Sequence, residues 1–283
     1  MSHSNTQLLI IDSGVGGLSI LNEIRKSMPS ISSHYIADNA FYPYGILSEE
    51  VIIERVLSLA HNALANDSFS ALVLACNTAS TVALPELRKA LNIPVIGVVP
   101  AIKPAAIQSQ SKVIGLLATP GTVKRQYTLD LISAFASDCK VIRVGSRPLV
   151  DMAENMLECK HHSSQDYIDI LQPFWDAPYG DELDTIVLGC THFPLVKKEL
   201  QHACSSRGKK IQWVDSGAAI AKRIRSYLEQ DENADLDVQT SGSHSLYFTQ
   251  QKRITEDLAH SLRRLSVSDI QFSIKPPTLT PIS

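Results

Sequence analysis

A chain of 283 residues, 44% hydrophobic and 19% charged, has the composition of an ordinary globular protein and can bury a core without disulfide staples. A formal net charge of −3 and a pI of about 6.3 come with no basic stripe, which argues against a nucleic-acid partner. The opening MSHSNTQLLI lacks the positive flank of a signal peptide, and no apolar run approaches the ~18 residues of a membrane span, so a cytoplasmic protein is expected.

In chain order, short apolar runs alternate with longer amphipathic stretches. Strands are predicted at 8–11, 34–37, 71–75, 94–99, 112–118, 140–144, 185–189, 211–215 and 247–250. Near-continuous apolar runs suit strands covered on both faces, as in parallel sheets. A helix is predicted from Leu18 to Met28, ended by Pro29. Another starts after the N-cap Ser48 and carries Val51, Ile52, Val56, Leu59 and Leu64 as its apolar residues. Others start near Pro120, Pro148, Pro194 and Ser216. The alternation gives an α/β class.

Internal echoes point to two similar α/β halves. Val73–Thr78 (VLACNT) resembles Val187–His192 (VLGCTH), each a buried strand, a cysteine and then polar groups. Ile11–Gly14 echoes Val214–Gly217, and Val95–Pro100 echoes Val113–Ala118. A boundary is expected near Pro100–Pro104, and the segment from Lys275 to Ser283 reads as a mobile tail.

Five cysteines, at 76, 139, 159, 190 and 204, show no Cys-x-x-Cys spacing and are expected as free thiols. Cys139, the Cys159-Lys160-His161-His162 stretch, His202 and Cys204 read as solvated helix ends, and no metal site is expected. Cys76 and Cys190 differ from these because each stands where a strand ends and a helix begins. Ligands bind at that end of a parallel sheet, and a helix N-terminus favours thiolate. One such cysteine is simply a buried residue. Two in matching frames suit inversion at carbon, one group removing a proton from one face while the other delivers a proton to the opposite face. A thiol hydrolase would need only one of them.

Asp12-Ser13-Gly14-Val15-Gly16-Gly17 superficially resembles a dinucleotide loop, but Ser19 stands where G-x-G-x-x-G needs glycine. It reads instead as a tight turn whose N–H groups and Ser13 hydroxyl hold a carboxylate, with Asp12 either in the site or capping a helix. The turn around Pro43 presents Tyr44 and backbone N–H groups as a ligand wall, or is an ordinary loop over a packed aromatic. Thr119 and Thr122 form either an anion cradle at a helix start or only its N-cap. His192, two residues beyond Cys190, is either a structural histidine or a group that exchanges a proton near neutral pH beside the thiol.

IDSGVGGLS (11–19), ADNAFYPYG (37–45), ACNTAS (75–80), LLATPGTV (116–123) and LGCTHFPL (188–195), in this order, resemble the signature blocks of the glutamate racemases, within the aspartate/glutamate racemase superfamily. The resemblance runs from about Leu8 to Asp215. It implies two similar α/β domains with mainly parallel sheets and an active site in the cleft between them. By analogy residues 1–99 plus 210–268 form the first domain, 100–209 the second, and 269–283 a C-terminal tail. It implies Cys76 and Cys190 as acid/base thiols, assisted by Asp12 and His192 respectively. Ser13, Tyr44, Gly45, Asn77, Thr78 and Thr191 would bind the charged groups of the substrate, glutamate, with Thr119 and Thr122 near a carboxylate and Asp12 and His192 also in contact. Glu154, within RPLVDMAENML (147–157), is the nearest match to the family's further acidic residue, although its surroundings depart from the usual pattern. No cofactor is implied, the product would feed peptidoglycan synthesis, and the protein partner allowed for is a second copy, as a homodimer. A racemase for aspartate or a hydantoin, or a binding protein that kept the ligand groups, are the alternatives.

Overall fold

A computed structural model describes residues 6–230, 241–251, 255–264 and 270–273. The chain separates into two compact units, Met1–Val98 with Gly217–Ser283, and Val99–Ser216.

The first unit is built on a six-stranded, all-parallel sheet in the order β10-β9-β2-β1-β3-β4. Its strands are β1 (Gln7–Asp12), β2 (Ser32–Ala37), β3 (Ala71–Leu74), β4 (Val95–Gly97), β9 (His244–Phe248) and β10 (Ile270–Ser273). Leu8–Ile11 and Ala71–Leu74 are buried at every position, as the unbroken apolar runs demand. The helices Leu18–Ser27, Glu49–Asn66, Asn77–Ala90 and Gly217–Leu228 belong to this unit. Ser48 caps Glu49–Asn66 by accepting a hydrogen bond from the Val51 N–H at 3.4 Å. Its buried stripe is Ile52, Arg55, Val56, Leu59 and Ala60, whereas Val51, expected among the apolar residues, is exposed.

The second unit carries a four-stranded parallel sheet in the order β6-β5-β7-β8. Its strands are β5 (Val113–Ala118), β6 (Lys140–Gly145), β7 (Thr185–Leu188) and β8 (Gln212–Val214). Ile114, Leu116, Val187 and Val214 pack with Ile102, Ala105 and Val123 in its core. The helices after Thr119 and Arg147 open on Pro120 and Pro148 as expected. Pro194 instead opens a 3-10 turn, Phe193–Val196, and the α-helix Lys197–Ser206 follows it.

Two expected boundaries move. The chain returns to the first unit at Gly217 rather than at 210, because Gln212–Val214 is paired with Thr185–Val187 and so completes the second sheet. The expected tail from 269 contains β10, which pairs in register with His244–Tyr247. The end of that tail, 274–283, lies outside the described residues. No helix among the described residues is long and apolar enough to cross a membrane.

In each sheet the strand order reverses at one place. β1 is flanked by β2 and β3, and β5 by β6 and β7. Such a reversal opens a crevice at the carboxyl ends of the two central strands, where open α/β sheets bind ligands.

Candidate active site

In the first unit the reversal brings together the end of β1, Asp12, with Ser13 after it, and Cys76, which follows β3. Cys76 is 5% exposed and stands at the N-cap of the helix Asn77–Ala90. Its carbonyl accepts from the Ser80 N–H at 2.8 Å, and its thiol lies 3.9 Å from the Ser13 hydroxyl. Asn77 and Thr78 are buried in the first turn, and the Asn77 Oδ1 has no hydrogen-bond partner among the described residues. A buried acceptor left unpaired is costly unless a ligand donates to it.

Asp12 is fully buried. Its carboxylate accepts from the Ser13 N–H at 2.7 Å and the Gly17 N–H at 2.6 Å. Two loop amides expected to face a ligand therefore face Asp12. Gly17 is required here, since a Cβ would stand 2.6 Å from the Tyr35 hydroxyl and 2.8 Å from the Ala75 Cβ.

The turn Tyr44–Ile46 lies beyond β2. The Tyr44 side chain, expected to line the ligand wall, is buried and donates its hydroxyl to Asp38 at 2.6 Å. Burial, and behind it the charge and hydrogen bond of Asp38, hold this phenol well above its ordinary pKa. The Tyr44 side chain is thus committed to Asp38 rather than open to a ligand. Asp38 also forms a bidentate ion pair with Arg55, at 2.8 and 2.6 Å, and accepts from the Thr249 hydroxyl at 2.6 Å. One signal of this buried network lies in the sequence: Arg55 falls on the apolar stripe with Ile52, Val56 and Leu59, where a cation needs a buried partner.

In the second unit the reversal joins Thr119, after β5, with Cys190, after β7. Cys190 is 7% exposed. Gly189 before it lets the strand pass close to β5, because a Cβ there would meet the Leu116 side chain at 2.8 Å. The Cys190 sulfur lies 3.8 Å from His192 Nδ1, and His192 Nε2 lies 2.9 Å from the Glu154 carboxylate. Glu154 comes from the helix Pro148–Leu157, so the acidic residue whose surroundings fit the family least is the one in contact with the histidine. Burial by itself depresses the imidazole pKa, but the hydrogen bonds and charges of Cys190 and Glu154 outweigh it and hold His192 well above 6.5. In the neutral ring, an Nε2–H donated to Glu154 leaves Nδ1 as an acceptor toward the thiol. The pair can therefore take the Cys190 proton and return it.

Thr119 caps its helix, accepting from the Thr122 N–H at 3.2 Å, and the two hydroxyls are 2.9 Å apart. The capping role is thus realised, with both side chains buried beside the strand end. Thr191 is buried between Cys190 and His192. The remaining cysteines stand apart from these centres. Cys159 is exposed and Cys139 half-buried, but Cys204, expected at a solvated helix end, is buried in the helix Lys197–Ser206, and burial pushes its thiol up to about 12. Among the described residues no three His, Cys, Asp or Glu side chains converge to hold a metal ion.

A model of the family described as Asp/Glu/Hydantoin racemase matches residues 18–224, and the chain belongs to this family of isomerases. Its particular relatives include a glutamate racemase of Shewanella oneidensis, 46% identical over 93% of this chain and 95% of that protein. A glutamate racemase of Shewanella baltica is 52% identical over 79% of each chain. Among solved structures, Escherichia coli glutamate racemase in complex with L-glutamate and the activator UDP-MurNAc-ala superposes with a TM-score of 0.84 at 40% identity, covering 95% of this chain and 98% of that one. A Bacillus anthracis glutamate racemase isoform gives a TM-score of 0.81 at 28% identity, covering 97% and 99%.

Proposed function

We propose that the chain is a glutamate racemase that interconverts L- and D-glutamate by two-base proton transfer at Cα. The observation that carries this reading is that each unit sets one buried thiol at the strand-order reversal of its own parallel sheet. The thiolate of one cysteine takes the Cα proton from one face, and the thiol of the other gives its proton to the opposite face. Cys76 is assisted by Asp12 and Cys190 by His192 with Glu154.

Two acid/base groups contribute on the order of 10²–10⁴-fold each to such a step. The rest must come from polar groups that stabilise carbanion-like charge beside the substrate carboxylate. Ser13, Asn77, Thr78, Thr119, Thr122 and Thr191 are the groups we assign to that task, and the backbone of Tyr44 and Gly45 we assign to holding the substrate alike in ground and transition state. The Asn77 oxygen is suited to accept from the substrate ammonium. The reading asks for no cofactor, places the enzyme in the cytoplasm, and has it supply D-glutamate for peptidoglycan, as a monomer or a homodimer.

The test is a circular-dichroism assay of L-glutamate with no added cofactor, run beside L-aspartate and a hydantoin. Racemisation of glutamate is expected, and it should survive exhaustive chelation. Turnover of aspartate or the hydantoin alone would move the assignment to another member of the family. Binding of glutamate without racemisation would make the chain a binding protein.

A further inference from the structure

The proposed proton transfer assigns no part to the buried carboxylate of Asp38, which accepts from the Tyr44 hydroxyl, from Arg55 Nε and Nη2, and from the Thr249 hydroxyl. The donors come from the turn Tyr44–Ile46, from the helix Glu49–Asn66 and from the residue after β9, which lies 211 positions along the chain from Asp38. Thr249 also accepts from the Ala40 N–H at 3.2 Å. The Asn39 amide group pairs both ways with the Gln250 backbone, at 2.9 and 2.8 Å. The residues leading into the turn are therefore gripped by the end of β9.

A buried ion pair is a poor stabiliser compared with apolar packing, and its best-attested use is to specify one geometry. The geometry specified here adjoins the first thiol centre. Ala37 is the register partner of Asp12, and the Asp38 N–H donates to the Asp12 carbonyl at 2.8 Å. Behind the larger effects of burial and Asp38, the charge of Cys76 also reaches the Tyr44 hydroxyl.

We propose that Asp38, held by Arg55 and Thr249, is a positioning residue that fixes the Tyr44–Gly45 turn for amino-acid binding and puts the end of β9 in control of it. This rests on the glutamate racemase reading above. An interaction that holds a binding surface equally for ground and transition state should appear in KM and leave kcat little changed.

The experiment compares Thr249→Val with Thr249→Ser in the full chain, reading KM and kcat in both directions, glutamate affinity by calorimetry, and thermal melting. Loss of one hydrogen bond from this cluster should raise KM about tenfold in Thr249→Val with kcat within about threefold, while Thr249→Ser, which keeps the hydroxyl, stays within about twofold of the parent. A folded Thr249→Val with parental KM would overturn the proposal, as would equal impairment of the valine and serine variants. Should Thr249→Val not fold, Arg55→Lys, which keeps the charge but loses the fork, is read in the same way. A parent that binds glutamate without racemising it defeats the functional reading alone, since the affinities still report on the turn. A parent that neither binds nor racemises glutamate defeats both.

Discussion

The two thiol centres share a sheet topology but differ in what surrounds the sulfur. Cys76 caps an α-helix, Asn77–Ala90, and its thiol lies 3.9 Å from the neutral Ser13 hydroxyl. Cys190 opens onto a 3-10 turn, its carbonyl accepting from the Phe193 N–H at 3.0 Å, and it faces an ionisable His192 backed by Glu154. An α-helix N-terminus favours negative charge through its aligned N–H groups. A histidine–carboxylate pair does so by carrying a proton. Repeated strand order thus sets where a thiol stands, while the residues after it decide how its charge is managed.

The largest effects should come from the thiols themselves. Cys76→Ala and Cys190→Ala are each expected to fold, by melting, and to lose racemisation by roughly 10²–10⁴-fold or more, because each is the proposed proton carrier for one face. Near-parental turnover in both directions by either variant would remove that cysteine from the mechanism. Next is the Asp38–Arg55 ion pair beside the first centre. Arg55→Met leaves the Asp38 carboxylate buried without its cation and should cost about 3–5 kcal/mol in denaturant unfolding. A cost below about 1 kcal/mol would show that Asp38 finds other compensation.

Asp12→Asn and His192→Asn sharpen the comparison further. Each should slow one direction more than the other, by about tenfold in maximal rate, with apparent affinities shifting so that the equilibrium constant stays fixed. Equal effects in both directions for both variants would mean that the two residues do not serve separate thiols.

The smallest effect is one of pH on stability. His192 has a folded pKa raised above 6.5, by partners that outweigh its burial. Its charge therefore contributes stability that is fully present below the unfolded value and is lost as pH rises through the folded one. The melting-temperature gap between the parent and His192→Asn should be widest near pH 6 and narrow steadily toward alkaline pH. A gap independent of pH would show that the ring is held neutral.

Much of this was legible because strand and thiol share one short motif. The apolar runs locate β1 to β8 to within about two residues, and the central strands β1, β3, β5 and β7, buried almost throughout, leave no polar alternation to misread. Of the three echoes, only that between Cys76 and Cys190 matches equivalent strands, β3 and β7. Ile11–Gly14 and Val214–Gly217 follow β1 and β8, whose places in their sheets differ, and the third echo joins the consecutive strands β4 and β5. Local sequence cannot distinguish a repeated site from a repeated strand ending. The Asp38 network was hidden for another reason: its Thr249 lies far along the chain, and only pairing of β9 with β2 brings them together. Glu154 was reached only through the family resemblance, because its contact with His192 depends on how the helix Pro148–Leu157 packs on the turn Phe193–Val196.

The division of labour between two thiols is tested most directly by isotope incorporation in D₂O. A thiol carries one exchangeable hydrogen, so the thiolate that takes the Cα proton holds the substrate's own, and the opposite thiol delivers one from solvent. Starting from L-glutamate and holding conversion low, mass spectrometry of the separated enantiomers should find deuterium at Cα in nearly all of the D-glutamate and almost none in the recovered L-glutamate. Substantial protium in the early D-glutamate would mean that one base serves both faces and would contradict the pairing of Cys76 with Cys190.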